Sequence, residues 1–105
     1  VIIKSDRNLN GIFYEIFMDL KQVTEIHEMN KSKFSSSKEL YDFIMFQMQS
    51  HMIEIDDLKI NGDPHHVKEV ADLAILAKLL AINEGVDDSI FEERYKRFKE
   101  KVKES

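Results

Sequence analysis

At 105 residues the chain is the size of one compact domain, able to bury a core without covalent staples but with little to spare. Twenty acids against fifteen bases leave a net charge of −5, which disfavours a nucleic-acid partner, because phosphate backbones call for clustered positive charge. The lack of cysteine excludes a disulfide framework, a thiolate zinc site and a thiol nucleophile, and it fits a reducing cytoplasm.

Three glycines and one proline interrupt the chain rarely, and apolar residues recur at helical spacing almost throughout. Residues 1–10, VIIKSDRNLN, read as a short extended arm ending at the turn pair Asn10-Gly11. They carry no basic segment followed by an apolar run, and nothing later reaches membrane-spanning length, so the expected location is cytoplasmic with no membrane partner.

A first helix is expected over about 12–29, where Ile12, Phe13, Ile16, Phe17, Leu20, Val23 and His27 share one face at three- and four-residue steps. The polar run NKSKFSSS breaks that pattern, and Ser36 with Glu39 forms a capping box for a second helix over about 37–56. Leu40, Ile44, Met48 and Met52 make its stripe, broadened by Phe43, Phe46 and Ile55. Asn61-Gly62 then turns the chain, Asp63 offers an N-cap and Pro64 suits a first helical position. The third helix follows over about 64–83 and stops at Gly85 in the manner of a left-handed C-terminal cap. A fourth, over about 88–103, has Phe91, Tyr95, Phe98 and Val102 as its buried stripe, with acids early and bases late to suit the helix dipole. Residues 1–105 therefore read as a single all-α domain, an antiparallel four-helix bundle with an N-terminal arm. Helices two and three carry more apolar surface than a chain this short hides, so a homodimer or higher homo-oligomer is expected.

The third helix poses a chemical problem. Residues 70–81 are all Ala, Val, Leu or Ile except Asp72 and Lys78. At about 100° per residue, His65, Glu69 and Asp72 share a stripe that continues into Leu76 and Leu79. An ionised carboxylate there is costly unless it is paired, hydrogen-bonded or bound to a metal. If the first three helices run up, down and up, one end of the bundle gathers Glu15 and Asp19, then His51, Glu54 and Asp57, then His65, Glu69 and Asp72. Asp19 repeats the oddity of Asp72, lying between Ile12, Val23 and Ile26 on its wheel. Converging carboxylates repel, and a cation relieves the repulsion; oxygen-only ligation suits Mg²⁺, with Mn²⁺ as the second choice. The competing reading pairs Asp72 with a Lys or Arg of a neighbouring helix or subunit. A transition-metal site from Asp63, His65 and His66 is disfavoured, because adjacent helical residues point about 100° apart.

The stretch EVADLAILAKLLAINEGVDDSIFEERYKRFKEK resembles the third and fourth helices of the all-α nucleoside triphosphate pyrophosphohydrolases, the MazG-type and phosphoribosyl-ATP pyrophosphohydrolase group. The resemblance lies mainly in residues 69–103. It implies that Glu69 and Asp72 ligate Mg²⁺, that one among Lys96, Arg97 and Lys99 faces substrate phosphates, and that the reaction splits a nucleotide between its α and β phosphates. The family's Glu-Glu-x-x-Glu on the preceding helix corresponds here only to Ile53-Glu54-Ile55-Asp56-Asp57, so Glu54 is the candidate for orienting the attacking water. Thr24-Glu25 with Glu28 matches better in residue type but falls a helix earlier, at the opposite end of the expected bundle. Glu15 and Asp19 are the further candidate metal ligands. The alternative is a non-catalytic helical module for dimerisation or partner binding, with a degraded metal site.

Overall fold

The computed structural model describes residues 20–104. Within that span the chain forms four helices and no strand: α1 (Leu20–Lys31), α2 (Ser37–Ile60), α3 (His66–Asn83) and α4 (Asp88–Glu104). The expected arm, the start of the first helix, and with it Glu15 and Asp19, lie outside the described residues. No described helix is long and apolar enough to cross a membrane.

Local sequence chemistry sets most helix ends. Ser36 Oγ accepts from the Glu39 amide at 3.1 Å, while the Glu39 carboxylate accepts from the Ser35 amide at 3.1 Å. The expected capping box is present, with its return bond displaced by one residue. At the other end α2 runs a turn past Asp56-Asp57, because the stop is Gly62 rather than the acids. Gly62 takes φ of +70°, its amide donates to Lys59 O (3.1 Å), and the Asp63 amide donates to Leu58 O (2.9 Å). Those two bonds are a Schellman cap. Gly85 repeats it after α3 at φ +75°, with its amide on Ile82 O (3.1 Å) and that of Val86 on Ala81 O (2.9 Å).

The start of α3 differs from expectation. Asp63 Oδ1 accepts from the His65 amide (2.9 Å), and three successive i to i+3 bonds, beginning with the His66 amide on Asp63 O (3.3 Å), wind a tight lead-in turn. The α-helix proper therefore begins two residues after Pro64. At the head of α4, Asp87 Oδ1 accepts from the Ser89 hydroxyl (2.7 Å) and the Ile90 amide (3.0 Å). These two bonds, that of Ser89 first, hold the Asp87 carboxyl below its ordinary pKa.

Packing centres on α2 against α3, with α1 lying mostly on α3. Val23, Leu40, Ile44 and Leu79 form the buried core, flanked by Phe34, Met48, Leu76, Leu80 and Ile82. Asn83 joins three helices: its Oδ1 lies 3.2 Å from Nε2 of the buried His27 on α1, and its Nδ2 donates to Ser37 O at the head of α2 (3.3 Å).

Burial departs from the apolar pattern on three helices. Helix α3 is apolar nearly all round but not buried all round: Val67, Val70, Ala74, Ile75 and Ala77 are exposed, because α1 and α2 cover only one side of it. Nor is the α4 stripe buried. Phe91, Tyr95, Phe98 and Val102 are exposed, and no residue of α4 is buried. Its backbone makes no close approach to the other helices. The contact that joins it to α3 sets the buried Lys78 ammonium 4.2 Å from the centroid of the Phe91 ring. On α2 the buried stripe ends at Met48, leaving Met52 exposed.

Candidate metal centre

His51 belongs to the third turn from the end of α2. Its Nδ1 lies 2.7 Å from the carbonyl oxygen of Gln47, one turn back. A carbonyl only accepts, so Nδ1 carries the proton, and in the neutral ring the lone pair sits on Nε2. That nitrogen faces α3, 3.4 Å from Glu69 Oε1 and 3.8 Å from Asp72 Oδ2. One ligand atom from each of His51, Glu69 and Asp72 lies within 4.8 Å of the other two, a group able to hold a metal ion.

Glu69, not Asp72, is the buried acid. The Glu69 side chain is 12% exposed, whereas that of Asp72 is 54% exposed. The helical wheel puts both on one stripe, but α3 rolls so that its first turn meets α2. Asp72 is left on the rim of an open depression of about 230 Å³ shared with His51, Ile75 and Leu76. The group beside Asp72 is the His51 imidazole rather than the Lys or Arg of the competing reading.

The two oxygens of Glu69 have different fates. Oε2 lies 3.3 Å from Nε2 of His65, the i,i+4 neighbour that the spacing places on the same face. Oε1 is buried with no hydrogen-bond partner, since its contact with His51 lacks hydrogen-bonding geometry. A buried orphan carboxylate oxygen costs on the order of 1–3 kcal/mol, more for a charged group, unless something else satisfies it. A divalent cation between Glu69 Oε1, His51 Nε2 and Asp72 would do so, and the donor set fits one. His66 turns away, with Nδ1 on Asp63 O at 2.9 Å, so the two adjacent histidines do not converge.

The remaining sequence candidates are not gathered here. Glu54 is exposed, one turn beyond His51 on α2. Lys96, Arg97 and Lys99 are exposed on α4, with Lys99 lying 5.8 Å over the ring of its own neighbour Tyr95. Glu28 pairs locally with Lys31 at 3.5 Å, and its neighbour His27 meets Asn83, placing that acidic pair at the far end of α3 from the cluster. His51 is the candidate ligand that the sequence underrates. Its position at this end follows from helix order, but its rank as a ligand comes from the Gln47 carbonyl and the approach of α3, which no spacing rule encodes.

No family model, curated protein or solved structure matches this chain. Fold and site together define an all-α protein with a candidate divalent-cation centre where α2 meets the start of α3.

Proposed function

We propose that this protein is a divalent-cation-dependent nucleotide pyrophosphohydrolase, converting a nucleoside triphosphate or a related nucleotide to its monophosphate and pyrophosphate. The observation that supports it is the convergence of His51, Glu69 and Asp72 around the unsatisfied Glu69 Oε1. A bound Mg²⁺ or Mn²⁺ would neutralise charge on the phosphates and acidify a water. Glu69 and Asp72 hold the cation, and Glu54 orients the attacking water from the next turn of α2. Lys96, Arg97 and Lys99 face the phosphates, delivered by α4 of a second copy, since α4 does not approach the cluster of its own chain.

The arrangement proposed for the chain is an antiparallel bundle that completes itself as a homo-oligomer in the cytoplasm. Opposed helix directions are supported by the pairing of Ser37 with Asn83 and of His51 with Glu69. Oligomerisation is supported by the apolar side chains left exposed on α3 and α4.

The test is pyrophosphate release from a panel of ribo- and deoxyribonucleoside triphosphates with Mg²⁺ or Mn²⁺. Turnover should fall on the order of 100-fold in Asp72→Asn, at least the loss typical of disturbing a metal's outer shell. Absence of turnover across the panel overturns the hydrolase reading. It would favour the second one, a non-catalytic helical module that binds its own copy or a partner through Ile90, Tyr95, Phe98 and Val102, all exposed on α4.

A further inference from the structure

We infer that the centre is built for a divalent transition-metal ion held through the His51 imidazole, in preference to Mg²⁺. This rests on the reading of His51, Glu69 and Asp72 as a metal centre and names the ion it selects.

Three features converge on a nitrogen-preferring ion. The Gln47 carbonyl, at 2.7 Å, keeps the proton on His51 Nδ1 and so presents Nε2 as a donor. This is the outer-shell arrangement that metal-binding histidines use to fix tautomer and ring orientation. His65 Nε2 stands 3.3 Å from Glu69 Oε2, while Oε1, on the side of His51, is buried without a hydrogen-bond partner. Finally, the 3.4 Å and 3.8 Å separations of Nε2 from the two carboxylate oxygens suit a common ion. Ligands bonded at about 2.1 Å stand about 3.0 to 3.4 Å apart around an octahedral or tetrahedral centre, so a small inward movement closes the site. Mg²⁺ favours oxygen and retains its waters, whereas imidazole suits Fe, Ni, Cu and Zn. In the absence of metal, a neutral His51 would point a lone pair at the Glu69 oxygen. The competing arrangement is a metal-free ion pair, in which a protonated His51 bridges the two acids.

The experiment uses the full chain without an affinity tag, stripped of metal. Co²⁺ and Zn²⁺ are titrated against Mg²⁺ by calorimetry, and the Co²⁺ complex is followed by its visible absorption. One Co²⁺ or Zn²⁺ per chain should bind at least about 100-fold more tightly than Mg²⁺. His51→Gln should weaken Co²⁺ and Zn²⁺ by at least tenfold and Mg²⁺ little, while His66→Ala changes neither. In the wild-type Co²⁺ complex, an exchangeable imidazole N–H proton should be hyperfine-shifted, because Nδ1 stays protonated on Gln47. That readout holds even if His51→Gln does not fold.

Equal affinity for Mg²⁺ and Zn²⁺ overturns the inference. So does binding that depends on His66 and not on His51, or no binding at all, which is the outcome of the metal-free ion pair. The two readings fail separately. Selective, His51-dependent binding without nucleotide turnover removes the hydrolase and keeps the transition-metal site, whereas turnover supported by Mg²⁺ with no preference for Co²⁺ or Zn²⁺ does the reverse.

Discussion

Nε2 of His51 lies 3.4 Å from Oε1 of Glu69 across the α2–α3 contact, and that oxygen has no hydrogen-bond donor. The contact is therefore poised, not satisfied. Glu69→Gln replaces the carboxylate with a group whose N–H can donate to the Nε2 lone pair, so the metal-free variant should be at least as stable as the parent. The parent, by contrast, should gain about 2.7 kcal/mol when its metal is present at 100 times the dissociation constant. The variant should gain almost none. Urea unfolding with and without metal checks both halves; equal gains would show that the ion does not sit at Glu69.

His65 and His66 are neighbours with opposite assignments. His65 Nε2 stands 3.3 Å from Glu69 Oε2, whereas His66 Nδ1 lies against Asp63 O at 2.9 Å. His65→Ala should therefore weaken metal binding about 10- to 100-fold, the range for losing an outer-shell partner. His66→Ala should leave it unchanged. Calorimetric titration of the two variants side by side checks the assignment, and the reversed order would overturn it.

Much of the fold is legible in the residues themselves. Gly62 and Gly85 mark helix ends because their positive φ is strained for any other residue, and Ser36 with Glu39 marks a helix start through side-chain reach. Leu40, Ile44 and Met48 recur at one face and lie at the core as their spacing requires. What could not be read is which side of α3 meets α2. A helix apolar nearly all round has no preferred face, so the wheel could not say that Glu69 would be buried and Asp72 exposed. The amphipathic pattern of α4 likewise names a sticky face without naming what covers it.

The α4 cap carries a pH signature. Asp87 takes hydrogen bonds from Ser89 and the Ile90 amide, which lower its native pKa beneath the ordinary value near 3.8. A depressed native pKa means that the unfolded chain binds the proton first on acidification. The cap's contribution is thus fully present above the unfolded pKa and is lost as pH falls through the native one. Asp87→Asn keeps the acceptor without the charge, so its α4 helicity should be flatter across that acidic window, while Asp87→Ala should be less helical at every pH. Circular dichroism across an acid titration compares the three.

Lys78 and Phe91 hold α4 to α3. Burial pushes the Lys78 ammonium below its ordinary pKa of 10.5, opposed by the nearby Asp88 charge. The sign follows: between the lowered native pKa and 10.5 the unfolded chain binds more protons, so this group's contribution to stability rises with pH through that window. The ring beneath the ammonium offsets part of the desolvation, a contact worth about 0.5–2 kcal/mol. Phe91→Ala should therefore destabilise the docking of α4 by roughly that amount. Its backbone amides should exchange faster while those of α2 and α3 keep their protection. Hydrogen exchange resolved by segment is the check. If α4 were instead covered by a second copy, the loss would vary with protein concentration, and repeating the measurement across a dilution series separates the intramolecular anchor from an intermolecular one.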